Sequence, residues 1–419
     1  MRNKKLSLGI RVALTICAAT LLVAGTRAAG QESVLYNFTG GTIGSSDGRN
    51  PYGNLILDSS GNLYGTASSA GGGGGLVFEL SPVAGGGWSE KILYSFMENG
   101  KDGVLPLAGL IFDSAGNLYG TTHLGGAYNY GTVFELQPSS GGTWKEGVLH
   151  SFNDNGKDGI YPGSGLTLDA SGNLYGTTPN GGVHGGGTVF ELTPKSNGGW
   201  AEKVLCSFPN PLNNYSNGPN NASLIFDSSG NLYGTTVYWG AHNSGSVFEL
   251  SPTKSGTWTP KLLHSFEYDG TDGFFPEGGL VFDSSGNLYG TTDFGGGDGA
   301  YGTVFELSPL TGGGWTEKVL YAFGTSNTGS YPTGTPIFDS AGNLYGTTFS
   351  GGSYGGGAVF ELTSSAGGTW TENLLHSFGN GADGSAPWGG VVLDSQGNLY
   401  GATLDGGADG SGTVFEVTP

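Results

Sequence analysis

The stretch Gly109-Leu110-Ile111-Phe112-Asp113-Ser114-Ala115-Gly116-Asn117-Leu118-Tyr119-Gly120-Thr121-Thr122, followed by Thr132-Val133-Phe134-Glu135-Leu136, decides the fold. A short apolar run, Gly109 to Asp113, leads into a turn signal, Ser114 to Asn117. Leu118 to Thr122 reads as a second strand and Thr132 to Leu136 as a third. Trp144 to Phe152, rich in Val, Leu and aromatics, reads as a fourth. No window shows a helical period. The unit is therefore a four-stranded antiparallel meander, with strands A to D.

The same unit is written along the whole chain. Gly-Asn-Leu-Tyr recurs with its asparagine at Asn62, Asn117, Asn173, Asn231, Asn287, Asn343 and Asn398, at spacings of 55 to 58 residues. Val-Phe-Glu follows each time, with Phe78, Phe134, Phe190, Phe248, Phe305, Phe360 and Phe415. A Leu-x-x-Phe segment ends at Phe38, Phe96, Phe152, Phe208, Phe266, Phe323 and Phe378. A period of this length signals a repeat architecture. The ends say whether it is open or closed. Ser33 to Phe38 is a D-type strand with no A, B or C before it, and Val414 to Val417 is a C-type strand with no D after it. One blade is thus divided between the ends. The expected fold is all-β: a seven-bladed β-propeller with four antiparallel strands per blade, closed by the N-terminal strand joining the last blade. An open linear array would instead need polar caps.

The composition now makes sense. Of 419 residues, 85 are glycine and 18 proline, a share that suggests low complexity when no period is present. The 22 Phe, 20 Tyr and 8 Trp argue against disorder. Glycine does not recur every third residue, which excludes collagen, and it is too costly for long helices. The glycines therefore belong at turns. One strand slot, Gly65, Gly120 and their equivalents, is expected to mark the close approach of a neighbouring backbone.

Residues 1–28 read as a secretory signal peptide. Arg2, Lys4, Lys5 and Arg11 precede an apolar run from Val12 to Ala24, which is too short to span a membrane, and small residues end it at Thr26 and Ala28. Residues 29–32 are expected to be a short linker and residues 33–419 a single propeller domain. The expected product is secreted or periplasmic and monomeric, with no membrane span in the mature chain. The formal net charge is −19, and five of the 15 basic residues lie in the leader. Such a field disfavours nucleic acid and anionic lipid as partners. Cys206 is the only cysteine outside the leader, so no intramolecular disulfide is expected.

The unit P-x-x-G-L-x-F-D-S-x-G-N-L-Y-G-T-T, then G-T-V-F-E-L, resembles the GloVer-type tandem repeat of secreted bacterial proteins over essentially the whole mature chain. The resemblance implies a secreted propeller and no particular activity. Members of that family carry C-terminal sorting anchors. This chain ends at Pro419 with no apolar tail, so C-terminal anchoring is not expected.

Residues present in every unit belong to the scaffold. Asp58, Asp113, Asp169, Asp227, Asp283, Asp339 and Asp394 open the A–B turn, where an aspartate can cap backbone N–H groups. A calcium loop is the sharper reading, but the alternating acids it needs are missing. Trp88, Trp144, Trp200, Trp258, Trp315 and Trp370 open six D strands and are expected to pack between blades.

Function is expected on the face that carries the B–C loops and the D–A connections, because only there do units differ. The D–A connections hold Asp47, Asp102, Asp158, Asp272 and Asp383, with Asn217 and Thr328 in the two remaining places. These are read as turn formers, or as an acidic crown near the channel mouth able to bind cations; no cofactor is required, and calcium is the one such acids could take. Trp239 and Trp388 are the only Trp residues outside the recurring slot. With Tyr238, Asp293, Phe294 and His123 they form the expected ligand-binding set, since aromatic faces beside carboxylates suit sugars. His123, His184 and His242 fall in consecutive B–C loops and could in principle bind a metal, although His184 has no acid near it in sequence. No G-x-S-x-G, H-E-x-x-H or phosphate loop is present. Two readings remain. One is a non-catalytic propeller binding a glycan, polymer or protein. The other is a propeller enzyme, a lyase, glycosidase or lactonase, with an acidic and conceivably calcium-dependent site. Two carboxylates converging in the channel at hydrolytic separation would favour the enzyme. No catalytic residue stands out from the pattern.

Overall fold

The computed structural model describes residues 30–40, 47–70, 73–210, 218–219, 222–297, 299–324 and 328–419. The leader, residues 1–28, and Asn217 lie outside the described residues. Seven antiparallel sheets of four strands each form the ring, and no helix occurs among the described residues, so none is long and apolar enough to cross a membrane. Blade 2 is typical: strand A is Ile111–Phe112, B is Leu118–Thr122, C is Thr132–Pro138 and D is Trp144–Ser151. The spatial order is the chain order, as expected for a meander. Short two-residue ribbons, such as Gly103–Val104 with Leu124–Gly125, tie the D–A connections to the B–C loops.

The ring closes through the last blade. Gln31–Asn37 pairs antiparallel with Thr413–Thr418, from Gln31 opposite Thr418 to Asn37 opposite Thr413. The closing strand starts two residues before the expected Ser33, so Gln31 and Glu32, read as linker, belong to the blade.

Seven apolar clusters fill the seams. Each unites the outer strand of one blade with the middle strands of the next, as Val77, Leu93 and Phe96 do with Leu118, Phe134 and Leu136. The phenylalanine of Leu-x-x-Phe meets the phenylalanine of the next Val-Phe-Glu edge to face, with Phe96 and Phe134 centroids 5.0 Å apart. The pair Phe38–Phe78 repeats this across the closure at 5.2 Å. These rings are fully buried, and each contributes about 1.5–3 kcal/mol by burial alone. The tryptophan of strand D packs on the Gly-Asn-Leu-Tyr tyrosine of the preceding blade, as Trp200 does on Tyr119 at 6.4 Å.

The strand-B glycine has a different cause from the expected one. A Cβ on Gly120 would lie 2.6 Å from Cζ of Phe134 and 2.9 Å from Leu110 Cδ2. The close neighbour is the ring from strand C of the same blade, and no backbone is involved.

The A–B turn is a capped loop. Asp113 Oδ1 accepts from the N–H groups of Ala115 and Asn117, and Oδ2 accepts from Asn117 Nδ2 and Tyr119 Oη. Burial works to raise this carboxyl's pKa, but the four hydrogen bonds outweigh it and hold the group below the usual carboxylate range.

Candidate functional site

A repeated backbone stitch builds the channel mouth. Except for Gly218, before Pro219, the residue before each of the seven D–A prolines is left-handed: Asn50, Leu105, Tyr161, Phe275, Tyr331 and Ala386, with φ of 53° to 62°. Its N–H donates to the B–C loop of the preceding blade, as Phe275 N does to Ser244 O at 2.9 Å. Its carbonyl accepts from the B–C loop of its own blade, as from Asp293 N at 3.0 Å. The next proline then packs on the glycine before strand C of the neighbouring blade; a Cβ on Gly245 would lie 2.4 Å from Pro276 Cδ. Bulky residues with positive φ are costly, about 1–3 kcal/mol each, and such strain gathers where function fixes geometry.

On this constant backbone the side chains differ. After the proline come Tyr52, Leu107, Gly163, Glu277, Thr333 and Trp388 in the six units described there. The channel below is a cavity of about 490 Å³, lined by glycines such as Gly53 and Gly109 and by strand-A residues such as Ile56 and Ile337; no Asp or Glu is among its lining residues. Among the described residues lining the channel there is no pair of carboxylates of the kind that would favour an enzyme.

The acids sit at the mouth. Asp293, first residue of a B–C loop, and Glu277, after the D–A proline of the same blade, are near enough to interact. Burial, helped by the Glu277 charge, pushes the Asp293 carboxyl up to about 7. Burial and Glu277 also raise the phenol of Tyr52, which belongs to blade 1. Burial, Glu277 and Asp293 do the same to Tyr238 of blade 4. One negative centre is thus felt by three blades. Aromatic rings surround it: Tyr52 lies 5.1 Å from Trp388 and Phe349 lies 5.4 Å from Trp388. Tyr238 is 4.7 Å from Phe275, and Phe294 is 5.1 Å from Tyr331. The indole Nε1 of Trp388 is buried without a hydrogen-bond partner, a state that costs about 1–3 kcal/mol and that a ligand oxygen would relieve.

The structure thus brings Tyr238, Asp293, Phe294 and Trp388 to one mouth. It places Trp239 elsewhere, packed on Phe208 at 5.2 Å in the seam between blades 3 and 4. His123 is stacked on Tyr161 at 5.3 Å, and burial lowers its pKa. His184 and His242 are exposed, and among the described residues no three His, Cys, Asp or Glu side chains are grouped to hold a metal. Sequence reasoning missed Glu277. Its signal was available: aligned on the D–A proline, it is the one acid in a slot otherwise filled by uncharged residues in the described units.

Of the two readings of the five D–A aspartates, the structure shows them accepting from backbone N–H groups at the start of the connection rather than gathered as a crown at the mouth. Each turns outward to the polar residue of strand D. Asp102 Oδ2 accepts from Tyr94 Oη at 2.9 Å and from Met97 N. Asp158, Asp272 and Asp383 lie 3.0, 3.2 and 3.1 Å from His150, His264 and His376 Nε2. Asp47 takes Tyr36 Oη at 3.4 Å and Thr39 N. The physical reason is the ribbon after the aspartate, which directs the chain from the rim to the mouth while the carboxylate stays behind to cap strand D. Each also faces a glutamate on strand D of the next blade. Glu90, Glu146, Glu202, Glu317 and Glu32 are all raised to about 7, by burial first and then by Asp47, Asp102, Asp158, Asp272 and Asp383 respectively.

Similar folds occur among solved structures. The chain resembles virginiamycin B lyase from Staphylococcus aureus at 16% identity and a TM-score of 0.51, over 93% of this chain and 99% of that one. It resembles the extracellular domain of a hybrid two-component system from B. thetaiotaomicron at 13% identity and 0.53, over 91% of this chain and 39% of that one. The likeness to PorZ, a surface component of the type-IX secretion system of Porphyromonas gingivalis, is 14% and 0.50, over 88% and 46%. At such identities the likeness is one of fold. No curated protein matches the chain significantly. The Gloeobacter/Verrucomicrobia repeat matches residues 22–211, 72–301, 203–334 and 282–419, overlapping spans that take in nearly the whole chain, and the protein belongs to that repeat family.

Proposed function

We propose that the protein is a secreted, monomeric, non-catalytic propeller that binds a glycan through the channel mouth. The observation that supports this most is the orphaned indole N–H of Trp388, set among Tyr52, Phe349 and Thr333 above a channel whose lining has no carboxylate. Aromatic faces take the C–H side of a sugar, while Trp388 Nε1, Asp293 and Glu277 supply the donor and acceptors its hydroxyls need. The test is a glycan array followed by calorimetry. Trp388→Phe, which removes the N–H and keeps much of the apolar surface, is expected to weaken the best hit about tenfold. Purified protein that binds no glycan would overturn the reading, and a protein or non-sugar polymer would then be the ligand to seek.

A second reading has its own observation. Asp293, about half protonated near neutral pH beside Glu277, is the kind of carboxyl that can donate a proton, as a lyase, glycosidase or lactonase requires. Turnover of a polysaccharide or lactone that vanishes in Asp293→Asn would establish it.

A further inference from the structure

A second cavity, of about 480 Å³, lies on the rim side of blade 5 and is lined by Tyr268, Asp269, Asp272, Phe274, Phe294 and Tyr301, with four glycines between them. It is joined to the mouth by rings in unbroken contact. Tyr268 meets Phe274 at 5.0 Å, Phe274 meets Phe275 at 5.0 Å, and Phe275 meets Tyr238 at 4.7 Å. Alongside, Phe274 and Phe294 stack at 5.6 Å and 13°. Tyr268 is 78% exposed, which is unusual for a ring with no solvent-side role.

Among the described residues this tract occurs at one seam, that between blades 4 and 5. The place of Phe274 is taken by Arg49, Val104, Ile160, Ser330 and Ser385 in other described units, and that of Phe294 by Leu124, Asn180, Ser350 and Asp405, with Trp239 the other aromatic there. The place of Tyr268 is held by Glu98 and Asp154. In those same two loops a lysine, Lys101 or Lys157, precedes the aspartate, and here it is Thr271. Aromatics have been gained and the cation lost at the same place. Among the described residues the cavity lining carries the carboxylates Asp269 and Asp272 and no Lys, Arg or His. At the inner end of the tract stand Asp293 and Glu277. Rings flanked by carboxylates, in a chain of formal net charge −19, attract an amine by charge and by cation–π contact and repel an anionic polymer. The glycines Gly270, Gly295, Gly297 and Gly299 leave a wall without side chains, against which a flat pyranose ring fits more readily than a branched peptide.

Resting on the glycan reading above, we propose that the aromatic tract over the seam of blades 4 and 5, from Tyr268 to Tyr238, is an extended groove for a polysaccharide carrying free amino groups, entering at the rim and ending at the channel mouth. Such a chain stacks on the rings and places successive ammonium groups near Asp269 at one end and Asp293 and Glu277 at the other.

The experiment is calorimetry with glucosamine hexamer, its fully N-acetylated counterpart, cellohexaose and a lysine-rich peptide, on the full chain and on Tyr268→Ala, Phe274→Ala and Trp388→Phe. Glucosamine hexamer is expected to bind best, to weaken as salt rises, and to lose about tenfold in Tyr268→Ala. Glucosamine dimer, added as a ligand too short to reach beyond the mouth, is expected to be indifferent to Tyr268→Ala. Equal affinity for the acetylated or neutral hexamer would overturn the amine requirement, and preference for the peptide would overturn the polysaccharide. If a glycan binds and responds to Trp388→Phe but not to Tyr268→Ala, the groove is wrong while the mouth reading stands. If no glycan binds at all, both fall. Circular dichroism of Phe274→Ala separates a lost contact from a lost fold, and Tyr268, being exposed, is the variant that decides.

Discussion

The phenol of Tyr321 donates to Glu372 Oε2 at 3.2 Å, across the seam between blades 5 and 6. At the blade 1–2 seam the equivalent Tyr94 donates instead to the loop aspartate, Asp102. Tyr36 does both, reaching Asp47 at 3.4 Å and Glu90 at 3.1 Å. The switch at Tyr321 follows from Thr328, which stands where other units have the aspartate. The strand-D polar residue, the loop acid and the next blade's glutamate are therefore one linked group, repeated round the rim. At three of the five facing pairs one oxygen of each acid is buried without a partner: Asp102 Oδ1 and Glu146 Oε1, Asp158 Oδ1 and Glu202 Oε1, Asp272 Oδ1 and Glu317 Oε1; at the other two only Glu90 Oε1 and Glu32 Oε1 are. At the blade 3–4 seam Pro260 stands in the place of the strand-D glutamate.

A pH dependence follows, and its sign is set by the glutamates. Their folded pKa, about 7, is above the ordinary glutamate value of 4.5. Between these values the folded state holds more protons than the unfolded state, so stability falls as pH rises from about 4.5 through 7. The A–B turn aspartates are lowered below 3.8 and act in the opposite sense, but only at lower pH, outside that window. The melting temperature is expected to be higher at pH 5 than at pH 8. Glu146→Gln with Glu202→Gln, which puts a neutral group able to donate to Asp102 and Asp158 in place of two of the five glutamates raised to about 7, is expected to shrink that difference, with Glu372 and Asp293, also raised, among the groups that keep the rest. A difference unchanged in the double variant would mean the seams hold no shared proton.

Closure can be tested at Phe38. This ring packs on Phe78 of blade 1 from the far end of the chain, just as Phe96 packs on Phe134 within it. Phe38→Ala is expected to cost as much as Phe96→Ala, about 3–5 kcal/mol each by denaturant unfolding. A mild Phe38→Ala beside a severe Phe96→Ala would show that the terminal strand is a loose end and the ring is open.

Glycines of equal recurrence should differ in cost. Gly120 has no room for a Cβ, since the Phe134 ring lies at 2.6 Å, while Gly116 has nothing within 4 Å but a φ of +84°. Gly120→Ala must displace a fully buried ring, a cost of about 1–3 kcal/mol or more. Gly116→Ala meets only backbone strain, about 1 kcal/mol. Chemical denaturation of the two variants checks the order. Equal losses would mean that the ring yields freely.

That contrast also marks what the sequence could tell. The repeat, its split blade and the turn aspartates rest on local patterns, so Asp58, Gly61 and Asn62 could be read directly. The partner of Gly120 lies on strand C and faces it only through sheet register, which no local pattern encodes. The crown reading of the D–A aspartates fails for a related reason: they are near the mouth along the chain but at the rim in space, because the ribbon after each one crosses the blade. Glu277 went unread because it lies in a connection where every unit differs, so recurrence gives no baseline. Trp239 was singled out for breaking the pattern, yet it breaks it by filling a gap beside Phe208.

Glu277 and Asp293 give the sharpest test of the mouth. The raised Asp293 pKa, about 7, is caused first by burial and then by the Glu277 charge. Glu277→Gln keeps the burial and removes the charge, so the Asp293 carboxyl should titrate lower, though still above an exposed aspartate. Carbon-detected NMR of the side-chain carboxyl follows this without any ligand. The two functional readings then separate. If Asp293 is only an acceptor for a bound sugar, affinity should weaken as pH falls through its pKa and the carboxylate is lost, and Glu277→Gln should move that midpoint to lower pH. If Asp293 donates a proton in a reaction, the alkaline limb of the rate profile should move down with it, because the active form is the protonated one. An Asp293 titration that is the same with and without the Glu277 charge would show that the two carboxyls do not share one site.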